Sequence, residues 1–336
     1  MPNSASMANR LKLFLPLLSL LIAALLLVPA GAQELRRIRT AITSPGMTNL
    51  NLYIADRQGF FKEQKIFSEI IVMRSAARQI QALIAGSVEF SAQAPDPLIR
   101  ADERGAELTM VSGLGNSAAY DLVAGKKYQK IEDLRGTTLG VSGINSSSTL
   151  LLQKMLSAHG LAHPRDYALV EVGGTSDRLA AIQSGAVSAG VLNPPISYIA
   201  ADQGFRILGE LKHYIPEVQF TALSARQPWA HANASLVDDY LAAILKADRY
   251  LYDNKAGTVA IIQNFFKIQP EYAERVYQYW VHNQVTPRDG ALTIPGTEVV
   301  LDILEKLGDF KGKTRPKAEK FIDSSFLRRA QGRISR

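Results

Sequence analysis

Four consecutive hydroxyl side chains lie between a short apolar segment and a helical one. Ser146, Ser147, Ser148 and Thr149 follow the strand-like segment TLGV and begin the sequence SSTLLLQKML. One helix needs a single N-cap side chain, so three hydroxyls remain beside the free backbone N–H groups of the first helical turn. Such donors at a helix N-terminus bind anions. We expect Asn145, Ser146 and Ser147 to contact a ligand; the alternative is one capping serine with the others solvated.

A second loop also combines hydroxyl side chains with a glycine and the start of a helix. The segment TSPGMTN follows the first strand-like stretch, and its candidate ligand residues are Ser44, Gly46, Met47 and Thr48. Because glycine has no side chain, a ligand can approach the backbone closely and meet main-chain donors. A tight turn followed by a helix N-cap is the alternative role of these residues.

Two segments of the chain resemble each other and both end in proline-bearing loops. When Gly86 is aligned with Gly185, apolar positions of the preceding helices and following strands match, and the prolines coincide. The match is short, so duplication and the ordinary βα pattern explain it equally well. Ligands bind at the carboxyl ends of strands in open α/β sheets, so we predict Gln93 and Asn193 as ligand contacts.

The start of another helix and two arginines complete the candidate site. Gly174 and Thr175 begin another helix and can donate to an acidic group. Arg74 follows the second strand and Arg178 lies one turn into a helix, so either guanidinium can pair with a carboxylate or sulfonate. Solvation at the surface is the alternative for both arginines. Of the two, we include Arg74 among the predicted ligand contacts.

The elements that must position these residues follow a repeated pattern. Short helical segments alternate with strand-like segments, and the helices are predicted to end at glycines: Gly59, Gly86, Gly105, Gly160, Gly185 and Gly204. This alternation predicts an α/β fold with largely parallel sheets. From Ala234 onward only helical patterns occur, which predicts a C-terminal helical annex.

The first residues have the composition of a targeting segment. Arg10 and Lys12 precede an apolar stretch, and small residues around Ala32 form a signal-peptidase site, which predicts a signal peptide over residues 1–32. A membrane anchor is the alternative. The chain has no cysteine, which excludes disulfides, thiol catalysis, thiolate metal sites and a lipid-attachment cysteine. We expect a soluble exported protein.

The positive charge of the chain is concentrated at its C-terminus. The formal net charge is +7, and residues 311–336 contain nine Lys or Arg against Glu319 and Asp323. Such a tail is more often a solvated end than a nucleic-acid arm, so we expect no nucleic-acid partner. The length of 336 residues predicts two domains.

Catalytic motifs have little support in this sequence. The segment GLGNSA matches a dinucleotide-binding fingerprint, but a strand-like segment follows it instead of a helix. His159 and His163 are four residues apart, but Gly160 and Pro164 interrupt the helix that would align them as metal ligands. We therefore predict a protein that is not an enzyme and that uses no metal and no cofactor.

Five segments together resemble one protein family in their order and spacing. They are LYIADRQGFFKEQKI, ALIAGSVEFSA, IEDLRGTTLGV, MLSAHGL and AAIQSGAVSAGVLNPP, within the range Arg37 to Asn254. The chain resembles the solute-binding proteins of bacterial ABC importers of the nitrate, sulfonate, taurine and thiamine-pyrimidine-precursor type. The resemblance implies an α/β fold of the type II periplasmic-binding-protein class, a two-lobed clamshell with the ligand in its cleft.

The resemblance also implies a domain order and a role. Residues 33–120 plus 222–336 would form the first lobe, and residues 121–221 would form an inserted second lobe, with crossing segments at Ala118–Gly125 and Val218–Ala225. The protein would be a periplasmic monomer that binds a small organic anion, either a carboxylate or a sulfonate and including aromatic ones, and delivers it to permease and ATPase subunits. Leu192 and Asn193 replace a tryptophan and an acidic residue found in many members, which favours an anion without an amine.

Two other functions stay open. One is an enzyme on the same clamshell fold, such as a dehydratase or lyase, or a relative of the pyrimidine-precursor synthase, although that synthase needs cysteines that this chain lacks. The other is a ligand-sensing partner of a membrane receptor, which would need the same cleft.

Overall fold

The computed structural model describes residues 35–73 and 75–334. The predicted signal peptide, its cleavage point near Ala32, and Arg74 lie outside the described residues. Within these two ranges, no helix has both the length and the apolar character needed to cross a membrane.

Ten strands of the described residues form two five-stranded sheets. In chain order they are β1 (Arg36–Ile42), β2 (Ile66–Val72), β3 (Phe90–Gln93), β4 (Leu108–Gly115), β5 (Asp121–Ala124), β6 (Thr137–Val141), β7 (Tyr167–Glu171), β8 (Ala189–Leu192), β9 (Arg206–Glu210) and β10 (Thr221–Arg226). The first sheet has the order β2-β1-β3-β10-β4 and the second the order β7-β6-β8-β5-β9. β1 pairs parallel with β3, and β6 with β7 and β8, whereas β10 and β5 run antiparallel to their neighbours. The predicted α/β fold is confirmed, but the prediction of largely parallel sheets is wrong, because β10 and β5 each pair antiparallel with two neighbours and make both sheets mixed.

Helices of the described residues connect these strands and then continue alone to the C-terminus. In chain order they are α1 (Leu50–Arg57), α2 (Phe60–Glu63), α3 (Ala76–Ile84), α4 (Asp96–Asp102), α5 (Ser147–Ala158), α6 (Thr175–Gln183), α7 (Ile196–Asp202), α8 (Gln227–Ala232), α9 (Ala234–Asp253), α10 (Lys255–Phe266), α11 (Pro270–His282), α12 (Ile294–Lys306) and α13 (Ser325–Ile334). The predicted C-terminal helical annex corresponds to α9–α13.

Glycine residues end the connecting helices, as the sequence predicts. The six glycines have φ angles between 71° and 92°, a region in which other residues are strained: Gly59, Gly86, Gly105, Gly160, Gly185 and Gly204. Each therefore fixes where its helix stops and the chain turns.

Two segments connect the first sheet to the second and run side by side. Residues 116–120 link β4 to β5, and residues 211–220 link β9 back to β10. The backbone N–H of Phe220 donates to Gly115, and that of Leu211 donates to Tyr120. The rings of Tyr120 and Phe220 meet edge to face, with centroids 5.2 Å apart. The lobe boundaries at residues 120/121 and 221/222 stay predictions.

The apolar core includes residues of both sheets. One cluster of buried side chains contains Leu98 and Met110 beside the first sheet together with Leu139 and Leu151 beside the second. A second cluster surrounds Tyr240, whose ring stacks between other aromatic rings where α9 covers the first sheet. The two halves are therefore in close contact within residues 37–336.

Helix α11 packs against both halves of the molecule. On one side, Val276 and Trp280 are buried in the core of the first half. On the other side, the Arg275 guanidinium lies 4.0 Å from the ring centroid of Tyr198, a residue of α7. The Tyr279 ring also approaches Tyr198, with centroids 6.5 Å apart. A helix of the annex thus touches the helix that follows β8.

The basic C-terminal segment is folded onto the body of the protein, so the expectation of a solvated end is wrong for its described part. The Arg329 Nε donates to Asp238 at 2.8 Å, and Arg315 forms an ion pair with Glu298 at 2.7 Å. Phe326 of α13 is fully buried. Carboxylates far away in the sequence attract these cations, which a count of charges in the segment does not reveal.

Candidate ligand-binding site between the sheets

Loops from the two sheets meet at the predicted site. A methyl group on Gly46, in the loop after β1, would lie 4.0 Å from Nδ2 of Asn193, in the loop after β8. Arg100 Nη1 of α4 donates to the Asn145 carbonyl, in the loop after β6, at 3.4 Å. Predicted contacts from both halves therefore face each other across a narrow gap.

The hydroxyl cluster at the start of α5 is bonded mainly within itself. Ser146 is the N-cap of α5, and its Oγ accepts from the backbone N–H of Thr149 at 3.4 Å. The Ser142 hydroxyl lies 2.8 Å from that of Ser146 and 2.9 Å from that of Ser148. The Thr149 hydroxyl donates to the Gly143 carbonyl at 2.7 Å. Ser146 thus caps the helix, which is the alternative to a ligand contact for one serine of this run.

Ser147 has a different partner, which lies on the other half of the molecule. Its hydroxyl donates to the carboxylate of Asp96, the first residue of α4. Asp96 is 4% exposed and also accepts from Arg100 Nη1 at 3.2 Å, while Arg100 Nε donates to Asp309 at 2.8 Å. Burial raises the pKa of the Asp96 carboxyl. Sequence reasoning missed Asp96, although it stands only three residues after Gln93, where the loop after β3 meets α4.

The other predicted residues of the loop after β1 differ in what they can offer a ligand. Ser44 is exposed, Gly46 is buried and Thr48 is half-buried. The Met47 side chain is 1% exposed and belongs to the apolar core, so only its backbone is available to a ligand. Gly46 precedes the short helical turn Met47–Asn49, which places the first N–H groups of that turn beside the gap.

The donors predicted at the start of α6 already have partners inside the protein. The Gly174 N–H donates to Asp177 Oδ2 at 3.0 Å, so this helix N-terminus holds its own carboxylate. The Thr175 hydroxyl accepts from Arg178 Nη2 at 3.2 Å. This bonding leaves Gly174 and Thr175 less suited to an anion than the predicted loops of the first sheet.

Arg178 is buried beneath this loop, which contradicts the alternative of surface solvation for this residue. It is 1% exposed, and its Nε and Nη1 donate to the carbonyls of Val191 at 2.8 Å and Gly173 at 2.6 Å. Its guanidinium carbon lies 5.9 Å from the ring centroid of Tyr120. Burial lowers the pKa of Arg178. These bonds and the one to the Thr175 hydroxyl go to neutral oxygens, so the charge of Arg178 adds positive potential under the loop that precedes α6.

Gln93 is buried at the end of β3 with an unused hydrogen-bonding atom. It is 5% exposed; its amide nitrogen lies 2.9 Å from Ser91 Oγ, and its amide oxygen has no partner among the described residues. A buried polar atom without a partner costs about 1–3 kcal/mol. Gln93 ends β3, which lies beside β1 and the loop that follows it. Within the described residues, no group of three acidic, histidine or cysteine side chains is arranged to hold a metal ion.

Two sheets joined by two adjacent connections, with facing loops between them, define the two-lobed clamshell of periplasmic-binding-protein type. Residues 47–256 match the family model described as NMT1/THI5 like, so the chain belongs to the NMT1/THI5-like family. A Brucella abortus protein named "putative binding protein" is 24% identical over 217 residues, which cover 64% of this chain and 67% of that one.

Solved structures share this fold at low sequence identity. A protein of Bordetella bronchiseptica RB50 has a TM-score of 0.75 at 21% identity, covering 90% of this chain and 99% of that one. The alkanesulfonate-binding protein SsuA of Xanthomonas axonopodis pv. citri, bound to MOPS, has a TM-score of 0.69 at 18% identity, covering 87% and 99%. The periplasmic nitrate-binding protein NrtA of Synechocystis PCC 6803 has a TM-score of 0.74 at 15% identity, covering 90% of each chain.

Proposed function

We propose that this protein is the substrate-binding component of an ABC importer, which captures a small organic anion in the periplasm and delivers it to the permease. The observation that supports this most directly is the meeting of Gly46 and Asn193 from opposite halves. A ligand held between such loops gains contacts only when the halves come together. It therefore shifts the population towards the closed form by its differential affinity for the two forms.

Several features support an anion, either a carboxylate or a sulfonate. The loop after β1 offers backbone N–H groups at the start of a helical turn, with Ser44 beside them. Arg178 contributes a buried positive charge beneath the loop that precedes α6. The Asp96 carboxylate opposes an anion, but Arg100 partly neutralises it. We rank Gln93, Asn193 and the loop after β1 above the hydroxyl cluster, because that cluster is bonded within itself.

The domain order, export and partners of the protein are proposed from its resemblance to the solute-binding proteins of ABC importers. The first lobe comprises residues 33–120 and 222–336, and the second comprises residues 121–221. The chain is exported with a signal peptide cleaved near Ala32, acts as a monomer, and requires separate permease and ATPase subunits. SsuA and NrtA, which share the fold, are named for binding alkanesulfonate and nitrate.

A binding screen combined with solution scattering tests this function. Nitrate, ethanesulfonate, MOPS, benzoate and a neutral pyrimidine are titrated by calorimetry, and each is added at saturation for small-angle X-ray scattering. We expect at least one organic anion to bind and to reduce the radius of gyration. If none of the anions binds, or if a binding anion leaves the particle unchanged, the proposal of an anion-capturing clamshell is wrong.

A further inference from the structure

A chain of hydrogen-bonded polar side chains, buried except for Thr43, runs beneath the loop after β1. Thr43 in this loop, Gln79 on α3, Ser91 in β3 and Gln93 at the end of β3 are joined by hydrogen bonds. Gln79 and Ser91 are both fully buried. β1 and β3 are neighbours, with Ala41 opposite Ser91, so both ends of the chain reach the edge of the sheet where the candidate site lies.

The neighbours of Gln79 determine which way its amide points. When its oxygen faces Thr43, it accepts from the Thr43 N–H at 3.0 Å and from the Thr43 hydroxyl at 2.7 Å. Its nitrogen then donates to the Ala41 carbonyl and to Ser91 Oγ, both at 3.2 Å. This orientation satisfies all four neighbours, whereas the opposite one places the amide oxygen against acceptors and the nitrogen against donors.

The orientation of Gln79 determines the direction of the next bond. Because Ser91 Oγ accepts from Gln79, its own proton is free to donate, and the remaining side chain beside it is the Gln93 amide at 2.9 Å. An amide oxygen facing Ser91 would accept that proton. The Gln93 nitrogen would then occupy the buried position that has no partner among residues 35–73 and 75–334.

Resting on the proposed function, we propose that Gln79 and Ser91 are positioning residues that hold the Gln93 amide with its two N–H donors towards the ligand. Gln93 is then a specificity-determining residue that favours a solute with an acceptor oxygen at this point, such as a carboxylate or sulfonate. A solute that presents an N–H or O–H donor there leaves two donors facing each other and is disfavoured.

Neutron diffraction from crystals of the perdeuterated protein tests the orientation without any ligand. We expect two deuterons on the Gln93 amide atom remote from Ser91, and one deuteron on Ser91 Oγ pointing to Gln93. Deuterons on the amide atom next to Ser91 would overturn the inference, and the proposed import function would be unaffected by that result.

Substitutions then test the consequence for binding, using the anion from the screen that binds best. Gln93→Glu keeps an acceptor towards Ser91 but replaces the donors with a carboxylate oxygen, so we expect affinity to fall at least about 100-fold. Ser91→Ala releases the amide and should reduce affinity about 3- to 10-fold. Gln58→Glu, an exposed position with the same change of charge, is the matched control and should bind normally.

The outcomes separate the two proposals. If Gln93→Glu binds the anion as well as the unaltered protein does, Gln93 does not donate to the ligand, and the inference fails while the function stands. If no anion in the screen binds the unaltered protein, the proposed function fails, and the neutron result alone decides the amide orientation.

Discussion

Replacing Ser147 with alanine should weaken closure of the two halves without destabilising either one. The Ser147 hydroxyl donates across the gap to the buried carboxylate of Asp96, which keeps its second partner, Arg100. A hydrogen bond to a charged group contributes about 1.5–3 kcal/mol. The ratio of closed to open molecules, and with it the ligand affinity, should fall by a factor of about 10 to 150.

Ser146→Ala is a matched control with the opposite expected effect. Ser146 caps α5 and bonds within its own loop. Loss of an N-cap should lower the free energy of unfolding by about 0.5–2 kcal/mol, because an N–H at the helix start loses its acceptor. It removes no bond to the other half, so closure should change little. Two adjacent serines are thus expected to affect different equilibria.

The assay benefits from the lack of cysteine in the chain. Cysteines introduced at the exposed positions Gln58 and Lys154, one on each half, allow two dyes to be attached for single-molecule energy transfer. The populations of open and closed molecules are counted with and without ligand, and urea unfolding is measured in parallel. Equal closure in Ser147→Ala and the unaltered protein, or a loss of closure in Ser146→Ala as large as in Ser147→Ala, would refute the reasoning.

The same contact predicts how closure depends on pH. Burial raises the pKa of Asp96 in the closed form, whereas solvent in an open form returns it towards its ordinary value near 4. Closing therefore takes up protons. The contribution of Asp96 to closure is fully present below pH of about 4 and is lost as pH rises through the higher pKa of the closed form.

Three further predictions concern stability and are measured by urea unfolding. Burial raises the pKa of Asp121 to about 6, so its contribution to folding is present below about pH 4 and is lost as pH rises through about 6. Asp121→Asn should remove this pH dependence of the free energy of unfolding and stabilise the protein at pH 7.5 by up to about 3 kcal/mol. An unchanged pH dependence in the variant would contradict this prediction. Arg178→Met removes the donor from the buried carbonyl of Val191 and the half-buried carbonyl of Gly173. It should cost about 2–4 kcal/mol and weaken anion binding; full stability would show that the bonds contribute nothing. Changing Arg329 and Arg333 to Gln leaves the buried Asp238 carboxylate without its cationic partners. After allowance for the exposure of both arginines, this should lower the free energy of unfolding by about 2 kcal/mol, and by less in high salt. A loss of stability that does not depend on salt would argue against the ion pairs.

Local patterns in the sequence were sufficient to predict the α/β class and the ends of the connecting helices, whereas the two-lobed clamshell was implied by the family resemblance. Strand and helix periodicity, with glycines such as Gly86 and Gly185 at the helix ends, depends on neighbours a few residues away, and these signals agree with the observed elements. The positions of the site loops follow from the same alternation, because loops after parallel strands share one edge of a sheet.

The bonding within the site could not be predicted in the same way. Asp96 and Ser147 are 51 residues apart, and their contact exists only because two sheets face each other. Gln79 lies beside Ile80 on an amphipathic helix, where a polar residue would ordinarily be placed in solvent, yet it is fully buried. Arg178 likewise looks like a surface cation in the sequence, because the carbonyls that hold it come from β8 and from the loop before α6. These roles depend on partners that are distant in the sequence, and local patterns do not show which distant residues come together.

The packing of α11 on both halves has a consequence for how solute enters. The Arg275 guanidinium and the Tyr279 ring hold the ring of Tyr198 from the opposite half. A separation of the halves that keeps these contacts must rotate about an axis near this helix, so the gap widens on the far side. Solute would then enter and leave on that side alone, and under the proposed import function a permease would need to contact only that side of the protein.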